Sequence, residues 1–441
     1  MREHHFQLQN RTLWKRGHAL VIAMWKEVIA TCSLSGYLSW QFLKASRQSM
    51  EARVETMYYL DGFASWPVRP EVQNVLVEAL AQPGNANSNH AAGWQASSLY
   101  EKGKRQVATL IGAAPSEIFV TSGATEANAL AIIGVWRTVA GQVPNRNKII
   151  LSALEHDAVR RPAEALRESG CEILVCPTDT SGAICIESLG TLLDESTILV
   201  STMLASNLTG IIQPIEKIGK MAHDVGALMH VDAAQAAGKH PIDVFDLGAD
   251  YLSLSAHKFG GPQGVGALYV AASAPKPTEL TTASHLETHL SGTQPAALVA
   301  AMGRAAEISL QNMDRESIHS GCLISLFEKG LSGGGLRARR LFPSSPTVPG
   351  AAAFILDTLA SSELIDILNS KVCLSNASAC HSGSLQPSPI LSSLHLTYDE
   401  QKRFLRLGVG WWLSEREIEA ATAAINDAVA KVRLATGEVH Q

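Results

Sequence analysis

The sequence predicts an α/β fold, in which a large, mostly parallel sheet is covered by helices and a smaller α+β domain follows. Between about residues 71 and 270, apolar strands alternate with amphipathic helices, which is the pattern of a mostly parallel sheet. Aromatic residues make up only 6% of the chain while alanine and glycine are abundant, which suits helices packed closely on a sheet. A chain of 441 residues is long enough for two or three domains.

The composition argues against several classes of protein. A net charge of -5 gives no basic surface for nucleic acid, so we expect no nucleic-acid partner. No run of about 18 apolar residues is free of charge, so we expect no membrane-spanning segment. The seven cysteines lack CxxC spacing, which argues against a disulfide scaffold and against a zinc site, and we expect no bound metal. Free thiols suit a reducing cytoplasm, which is the expected location.

Residues 1–56 do not resemble the rest of the chain, and we expect this N-terminal extension to lie outside the fold. The apolar run Ala19 to Trp25 is broken by Lys26 and Glu27 before any small-residue cleavage site, which argues against a secretory signal. Its acidic residues also disfavour a transit peptide.

The first elements of the fold are two helices and a glycine-containing turn. Pro67 and Pro70 precede a predicted helix, and a second helix is predicted from about Trp94 to Ile111. The segment TSGATEANALAI, 121–132, places small residues at the start of a helix, where free backbone amides and the helix dipole favour an anion. The same residues also suit an ordinary helix start capped by Thr125 or Ser122.

Further strands are predicted at Lys148–Ser152 and Ile198–Met203, followed by His156 and Asn207 respectively. Next, ALMHVDAAQAA, 227–237, reads as a strand that ends in Asp232, with Gln235 three residues later. An aspartate at this position is often a helix N-cap. The alternative is an acid placed to bind the ring nitrogen of a cofactor such as pyridoxal phosphate, which also requires a lysine.

The segment DYLSLSAHKFGGPQGVGALYV, 250–270, reads as a buried strand, a glycine-rich turn and a second strand. Lys258 lies at the exit of the first strand. Burial there lowers the pKa of a lysine and frees its amine for imine chemistry. The alternative is a surface lysine in a polar turn. Lys258 and Asp232 together match the lysine and acid that pyridoxal phosphate requires.

One crevice is expected to collect the polar residues that follow the strands, because ligands of such sheets bind at the carboxyl ends of strands. These residues are Thr125, His156, Asn207, Asp232 and Lys258. A long helix from about Pro295 to Met313 is predicted to lead into the smaller domain, which holds a strand at Ala351–Leu356 and a helix at Ser361–Asn369. We therefore expect a large cofactor-binding domain at 71–312 and a small α+β domain at 57–70 plus 313–441.

Six motifs in order resemble the aminotransferase class V family of fold-type I pyridoxal-phosphate enzymes and, more narrowly, its NifS/IscS-type cysteine desulfurases. They are TSGATEANALAI, EHDAV, HVDAAQ, SAHK, SGT and SNASACHSGS, within about Tyr59 to Ala428. The resemblance implies a homodimer with pyridoxal 5'-phosphate that converts L-cysteine to L-alanine. Sulfur would pass to an enzyme cysteine as a persulfide, and then to an acceptor protein, as in iron-sulfur cluster assembly.

The resemblance also implies roles for individual residues. Lys258 would hold the cofactor, Asp232 its ring nitrogen and Gln235 its ring oxygen, while His156 would stack on the ring and handle protons. The expected phosphate ligands are Ala124, Thr125, Ser255 and His257, together with Thr293 of the other subunit. Asn207 and Arg406 would bind the substrate carboxylate. Cys380, in the SNASACHSGS segment, would attack the substrate sulfur; the alternative is that it is a packed structural cysteine, as expected for Cys373.

The chain departs from the family pattern at four positions. Ser65 and Trp66 stand where two threonines are common, Leu208 stands in place of a glutamate, and Leu290 stands in place of an arginine. These changes put the substrate preference in question. The open alternatives are another class V activity, such as an aminotransferase, a selenocysteine lyase or an epimerase, and a non-catalytic scaffold of the same fold.

Overall fold

The computed structural model describes residues 57–140, 142, 145–277, 292–333, 336–357, 359–368, 370–376 and 389–436. The N-terminal extension 1–56, Leu290 and Cys380 lie outside the described residues. Tyr58–Gln441 pack as one unit. The domain bounds expected within it, 71–312 and 57–70 plus 313–441, stay a prediction.

A seven-stranded sheet forms the centre of the described chain, with the strand order β2-β8-β7-β6-β5-β3-β4. Its strands are β2 (Ile118–Thr121), β3 (Lys148–Ser152), β4 (Glu172–Cys176), β5 (Thr197–Met203), β6 (Leu228–Asp232), β7 (Tyr251–Ser255) and β8 (Gly266–Val270). The pairs within β7-β6-β5-β3-β4 are parallel, and β8 runs antiparallel to both β7 and β2. The predicted mostly parallel sheet is confirmed.

The antiparallel direction of β8 follows from the short connection before it. Parallel neighbours need a crossover of about a dozen residues or more, usually a helix. Here the chain turns back directly, and Ser255 pairs with Gly266. The connection opens with a 3-10 turn, Ala256–Lys258. This hairpin therefore fixes Lys258 at the carboxyl end of β7.

Helices cover the sheet and connect its strands. They are α1 (Pro70–Leu80), α2 (Ala91–Leu110), α3 (Ala124–Ala129), α4 (Val135–Val139), α5 (Asp157–Ala165), α6 (Ile186–Leu192) and α7 (Ile215–Asp224). A π-helical turn, Leu130–Gly134, joins α3 to α4, so this helical run is continuous from Ala124 to Val139. Among the described helices, none combines the length and the apolar character needed to cross a bilayer.

Helix α8 (Ala296–Gly333) has 38 residues and extends well past the end predicted at Met313. Gly303 does not interrupt it, because the helix crosses α2 there: a Cβ on Gly303 would lie 2.5 Å from Cα of Gly103. Helical glycine costs about 1 kcal/mol relative to alanine, and close helix packing offsets that cost. Residues such as Val299 and Leu323, from its two halves, belong to different hydrophobic cores.

The second core surrounds a three-stranded antiparallel sheet, β12-β10-β9, and a short parallel pair, β1-β11. Its elements are β1 (Tyr58–Tyr59), β9 (Ala338–Arg340), β10 (Ala351–Leu356), α9 (Ser361–Leu368), β11 (Val372–Cys373), α10 (Pro389–Ser393), α11 (Tyr398–Lys402), β12 (Phe404–Gly408) and α12 (Glu415–Thr436). The strand predicted at Ala351–Leu356 is confirmed, and of the helix predicted at Ser361–Asn369 the structure describes Ser361–Leu368. Strand β12 carries Arg406 towards the central sheet.

Candidate active site

A cavity of about 560 Å³ lies at the carboxyl ends of β5, β6 and β7 and receives one residue, Arg406, from β12. The candidate residues among its lining are Ala124, Thr125, His156, Asn207, Asp232, Gln235, Ser255, His257, Lys258 and Arg406. The structure thus brings together the polar residues that the sequence placed after separate strands. Thr293 is not part of this lining.

Lys258 lies half-buried at the end of its 3-10 turn, so it is less enclosed than the sequence suggested. Its Nζ donates hydrogen bonds to the carbonyl oxygens of Phe63, at 2.6 Å, and Ala64, at 3.1 Å. These two carbonyls belong to the loop that follows β1. They hold the amine at the cavity wall, where it is accessible to a ligand.

Asp232 is buried, and both of its carboxylate oxygens accept hydrogen bonds. Oδ1 accepts from the backbone N–H of Ala234 at 2.9 Å. A turn and not a helix follows β6, so the alternative of a helix N-cap at Asp232 is wrong. Oδ2 accepts from Nδ2 of Asn128 at 2.8 Å. The sequence analysis missed Asn128, which lies in α3. An amide inside an otherwise apolar helical pattern was the available signal.

Gln235 is held at both ends of its side-chain amide. Nε2 donates to the carbonyl of Phe63 at 3.0 Å, and Oε1 accepts from Nζ of Lys239 at 3.2 Å. Lys239 was also missed. Its side chain is buried, and burial lowers its pKa to about 7, with further contributions from Lys258 and Arg406.

His156 is the N-cap of α5, and its Nδ1 accepts a hydrogen bond from the backbone N–H of Ala158 at 3.1 Å. A neutral imidazole in this arrangement carries its proton on Nε2. The preceding residue, Glu155, is almost fully buried, and its Oε1 accepts from the N–H of Met203 at 2.7 Å. Burial, and then the charge of Asp232, raises the pKa of Glu155 well above its usual value.

The end of the cavity beside Ala124 has the properties of an anion site. The N-cap of α3 is Gly123, with φ +154°, and no described side chain caps this helix, so the cap alternatives for Thr125 and Ser122 are wrong. Gly264, with φ +80°, lines the same cavity, and a Cβ there would meet no atom within 4 Å. Free helix amides surrounded by glycine backbone favour a phosphate-sized anion.

His257 lies beside this anion site and contacts Ser65, with 3.2 Å between its Nδ1 and the serine Oγ. Burial lowers the pKa of His257 to about 4, and the charges of Lys258 and Lys239 add to the effect. The imidazole is therefore neutral at pH 7. Together with the hydroxyl of Ser255, it adds neutral polar groups to the lining.

Arg406 is buried, and each of its three guanidinium nitrogens donates a hydrogen bond. Nε donates to Ser375 Oγ at 2.9 Å, and Nη1 donates to the carbonyl of Asn207 at 2.8 Å. Nη2 forms an ion pair with Asp61 Oδ1 at 3.1 Å. Asp61 also lines the cavity and was missed by the sequence analysis. This network fixes the guanidinium plane, which suits recognition of a carboxylate.

The positions at which this chain departs from the family pattern have different environments in the structure. Trp66 is buried behind the cavity, in edge contact with Trp412 at 5.3 Å between ring centroids, and with its ring 5.1 Å from Nζ of Lys239. Leu208 packs in an apolar cluster with residues such as Met203. Neither Trp66 nor Leu208 belongs to the cavity lining. Thr293 is exposed, and its Oγ1 accepts a hydrogen bond from Nδ2 of Asn85 at 3.3 Å.

Comparison with known proteins assigns a family to this arrangement. The family model "Aminotransferase class-V" matches residues 58–420, which is most of the chain. The chain belongs to this family. Within class V, it is 33% identical over 384 residues to a cysteine desulfurase IscS of Rickettsia massiliae (strain Mtu5), with 85% of the chain and 92% of the relative covered.

Similar solved structures agree with this assignment. The structure of a NifS-like protein superimposes with a TM-score of 0.78 at 29% identity, covering 85% of this chain and 100% of that one. A structure described as SspA in complex with cysteine has a TM-score of 0.69 at 28% identity, covering 80% and 99%. The resemblance to the cysteine desulfurases and the fold-type I architecture are therefore confirmed.

Proposed function

We propose that this class V protein is a pyridoxal-phosphate-dependent cysteine desulfurase, which converts L-cysteine to L-alanine and transfers the sulfur to one of its own cysteines. The observation that carries the proposal is the meeting of Lys258, Asp232, His156 and Arg406 in one cavity. The relatives named cysteine desulfurase supply the reaction.

The residues of the cavity fit pyridoxal phosphate. Asp232 and Lys258 lie on its wall as an acid and an amine, and the open backbone at Gly123 and Gly264 leaves room for a phosphate. In the proposed complex, Lys258 holds the cofactor covalently, Asp232 binds the ring nitrogen, Gln235 binds the ring oxygen and His156 stacks on the ring. The phosphate contacts Ala124, Thr125, Ser255 and His257. When bound, the group supplies an electron sink next to the substrate's α-carbon.

The substrate carboxylate is proposed to bind between Arg406 and Asn207. Arg406 presents a fixed guanidinium at the cavity wall, and Asn207 lines the same cavity. Both side chains carry N–H groups, and the Nδ2 of an asparagine can donate to a carboxylate oxygen. L-cysteine bound in this way would hold its side chain beside His156, which is placed to move protons through Nε2.

Cys380 is the proposed sulfur acceptor. Among the described cysteines, none lines the cavity. Cys373 lies in β11, where burial and the nearby charge of Asp61 raise the pKa of its thiol, so it forms a thiolate less readily. In the proposed step, the Cys380 thiolate forms an S–S bond with the substrate sulfur as the C–S bond breaks. The electron pair passes to the substrate carbon, and protonation gives alanine.

The active form is proposed to be a homodimer, in which Thr293 reaches the cofactor phosphate of the other subunit. Thr293 is exposed and lies outside its own chain's cavity lining, which leaves it available to a partner. Exposed apolar residues lie in the helices near it: Val77 and Leu80 of α1 and Trp94 of α2. Such a surface is typical of a protein interface. A cytoplasmic location and delivery of sulfur to an acceptor protein, as in iron-sulfur cluster assembly, complete the proposal.

The test is an assay of the purified protein with L-cysteine, with alanine and sulfide quantified and L-selenocysteine and common amino acids run in parallel. We expect a yellow protein that releases alanine from L-cysteine, and a colourless, inactive Lys258→Ala variant. Preference for selenocysteine, or for amino-group transfer, would support the other class V activities. A wild-type protein without colour or turnover would support the non-catalytic scaffold.

A further inference from the structure

We propose that Lys239 is a positioning residue, which fixes the end of the Gln235 amide that faces the bound cofactor. The inference rests on the proposed function, since it concerns the same cavity. It goes beyond that function because Lys239 is not part of the cavity lining and acts through Gln235.

The contacts determine how the amide is oriented. Nζ of Lys239 donates to Oε1 of Gln235 at 3.2 Å, and Nε2 of Gln235 donates to the carbonyl of Phe63 at 3.0 Å. The Phe63 carbonyl only accepts, and the Lys239 amine donates in both its charged and its neutral form, so the present orientation satisfies both contacts, whereas a turned amide loses the one to Phe63. Nε2 carries two N–H groups, and Phe63 uses one. The other is then the group that can donate to the oxygen of a bound ring.

The Phe63 carbonyl alone does not secure this orientation. It also accepts from Lys258 Nζ at 2.6 Å, so Gln235 shares its acceptor with the amine that reacts. Gln235 is buried, and a buried amide oxygen without a donor is energetically unfavourable. Without Lys239, that cost favours rotation of the amide away from its present position. Lys239 therefore supplies the donor to Oε1 of Gln235, which the Phe63 carbonyl cannot provide.

The surroundings of Lys239 argue that it is kept for function. Lys258 and Arg406 both disfavour its charged form, and no described carboxylate forms an ion pair with it. Burial lowers the pKa of the neighbouring His257, and the charges of Lys258 and Lys239 lower it further, so the imidazole adds no charge beside Lys239. A buried cation beside other cations destabilises a fold unless something offsets the charge, and such residues are concentrated at functional sites.

Trp66 offsets part of that charge. Its ring lies 5.1 Å from Nζ of Lys239, within the range of a cation–π contact, and Trp412 packs against the ring from another side. The threonine that is common at this position in related sequences has no aromatic face. The side chains of Trp66 and Lys239 are therefore in direct contact in this protein, and Lys239 in turn contacts Gln235.

The test compares two cofactors that differ only at the ring oxygen: pyridoxal phosphate and 3-deoxypyridoxal phosphate. Any direct effect of charge on Lys258 is common to both, so the ratio of their dissociation constants isolates the hydrogen bond to the ring oxygen. We expect Lys239→Met to reduce the wild-type preference for pyridoxal phosphate by about tenfold, as loss of one such hydrogen bond predicts. Gln235→Leu is expected to reduce the preference by the same factor. The double variant Lys239→Met/Gln235→Leu is expected to reduce it no further.

Lys239→Arg is the matched variant, because it keeps a donor and a positive charge, and it is expected to retain the preference. If Lys239→Met does not fold, Lys239→Leu, which also lacks a donor, is measured in its place, with the same expectation of a reduced preference. A Lys239→Met protein, or its Leu replacement, with the wild-type preference overturns the inference and leaves the proposed function intact. The inference is also overturned if adding Lys239→Met to Gln235→Leu reduces the preference for pyridoxal phosphate further. A wild-type protein that binds neither cofactor overturns both.

Discussion

Buried Arg406 and half-buried Asp61 form an ion pair, with 3.1 Å between Nη2 and Oδ1, although they lie 345 positions apart in the chain. Ser375 joins the pair, because its Oγ donates to Oδ1 of Asp61 at 2.6 Å and accepts from Nε of Arg406 at 2.9 Å. The guanidinium is therefore oriented before any substrate arrives. A preorganised, planar group loses less entropy on binding a carboxylate.

The first prediction concerns this arrangement. Arg406→Lys removes the planar fork while keeping the charge, so we expect the KM for L-cysteine to rise by about tenfold or more, with a smaller change in kcat. Steady-state kinetics of alanine release provide the measurement. Arg403→Lys is the matched control, because Arg403 donates to the backbone carbonyls of Leu356 and Asp357 and lies outside the cavity lining. Equal effects of the two substitutions would count against the carboxylate site.

The second prediction concerns Asn128, which donates to Asp232 at 2.8 Å. Asn128→Leu keeps the size of the side chain but leaves Oδ2 of Asp232 without this donor. A hydrogen bond to a charged group contributes about 1.5–3 kcal/mol, so we expect pyridoxal phosphate to bind about tenfold more weakly or worse. Binding is measured from the visible absorbance of the protein. Unchanged affinity would show that Asn128 does not support the proposed ring-nitrogen contact.

These two cases show what could be predicted from the sequence and what could not. Lys258, Asp232 and His156 each follow a strand, and the geometry of a parallel sheet alone predicts that such residues meet. Asn128 and Lys239 reach the site through side-chain directions across a packed interface, which no local pattern in the sequence encodes. Both were missed for that reason.

In the fold, too, local patterns predicted some elements and tertiary contacts decided others. Strands such as Lys148–Ser152 were predicted to the residue, because a short apolar run with polar ends allows few alternatives. The end of α8 was misplaced at Met313, although the helix continues to Gly333. Gly303 is accommodated where α8 crosses Gly103, and this tertiary contact overrides the local propensity.

The third prediction concerns the pH dependence of stability. The pKa of Glu155 is raised in the folded protein by burial and by Asp232, whereas the unfolded carboxyl titrates near its ordinary value of 4.5. Its contribution to stability is therefore complete below pH 4.5 and is lost as the pH rises towards the folded-state pKa. Glu155→Gln mimics the neutral acid and lacks this loss.

We therefore expect the free energy of unfolding of Glu155→Gln to improve relative to wild type as the pH rises from 4.5. Urea unfolding of both proteins across that range provides the measurement. A difference between the two proteins that does not change with pH would mean that Glu155 is ionised in the folded state.

The fourth prediction concerns Trp66, which is 7% exposed and packs on Trp412. Trp66→Thr introduces the residue that is common in related sequences but leaves a cavity here, so we expect a loss of about 3 kcal/mol in the free energy of unfolding. Phe245→Thr is the control, because Phe245 is 88% exposed and its replacement is expected to change stability by no more than about 0.5 kcal/mol. A neutral Trp66→Thr would mean that its surroundings close around the smaller residue.

The central claim is that sulfur leaves L-cysteine onto Cys380, and one measurement tests it most directly. Wild type, Cys380→Ser and Cys373→Ser are each mixed with L-cysteine, and protein-bound persulfide and released alanine are quantified together. We predict that Cys373→Ser behaves as wild type, whereas Cys380→Ser keeps its yellow cofactor but forms no persulfide and releases little alanine. Wild-type rates of both products from Cys380→Ser would contradict the account.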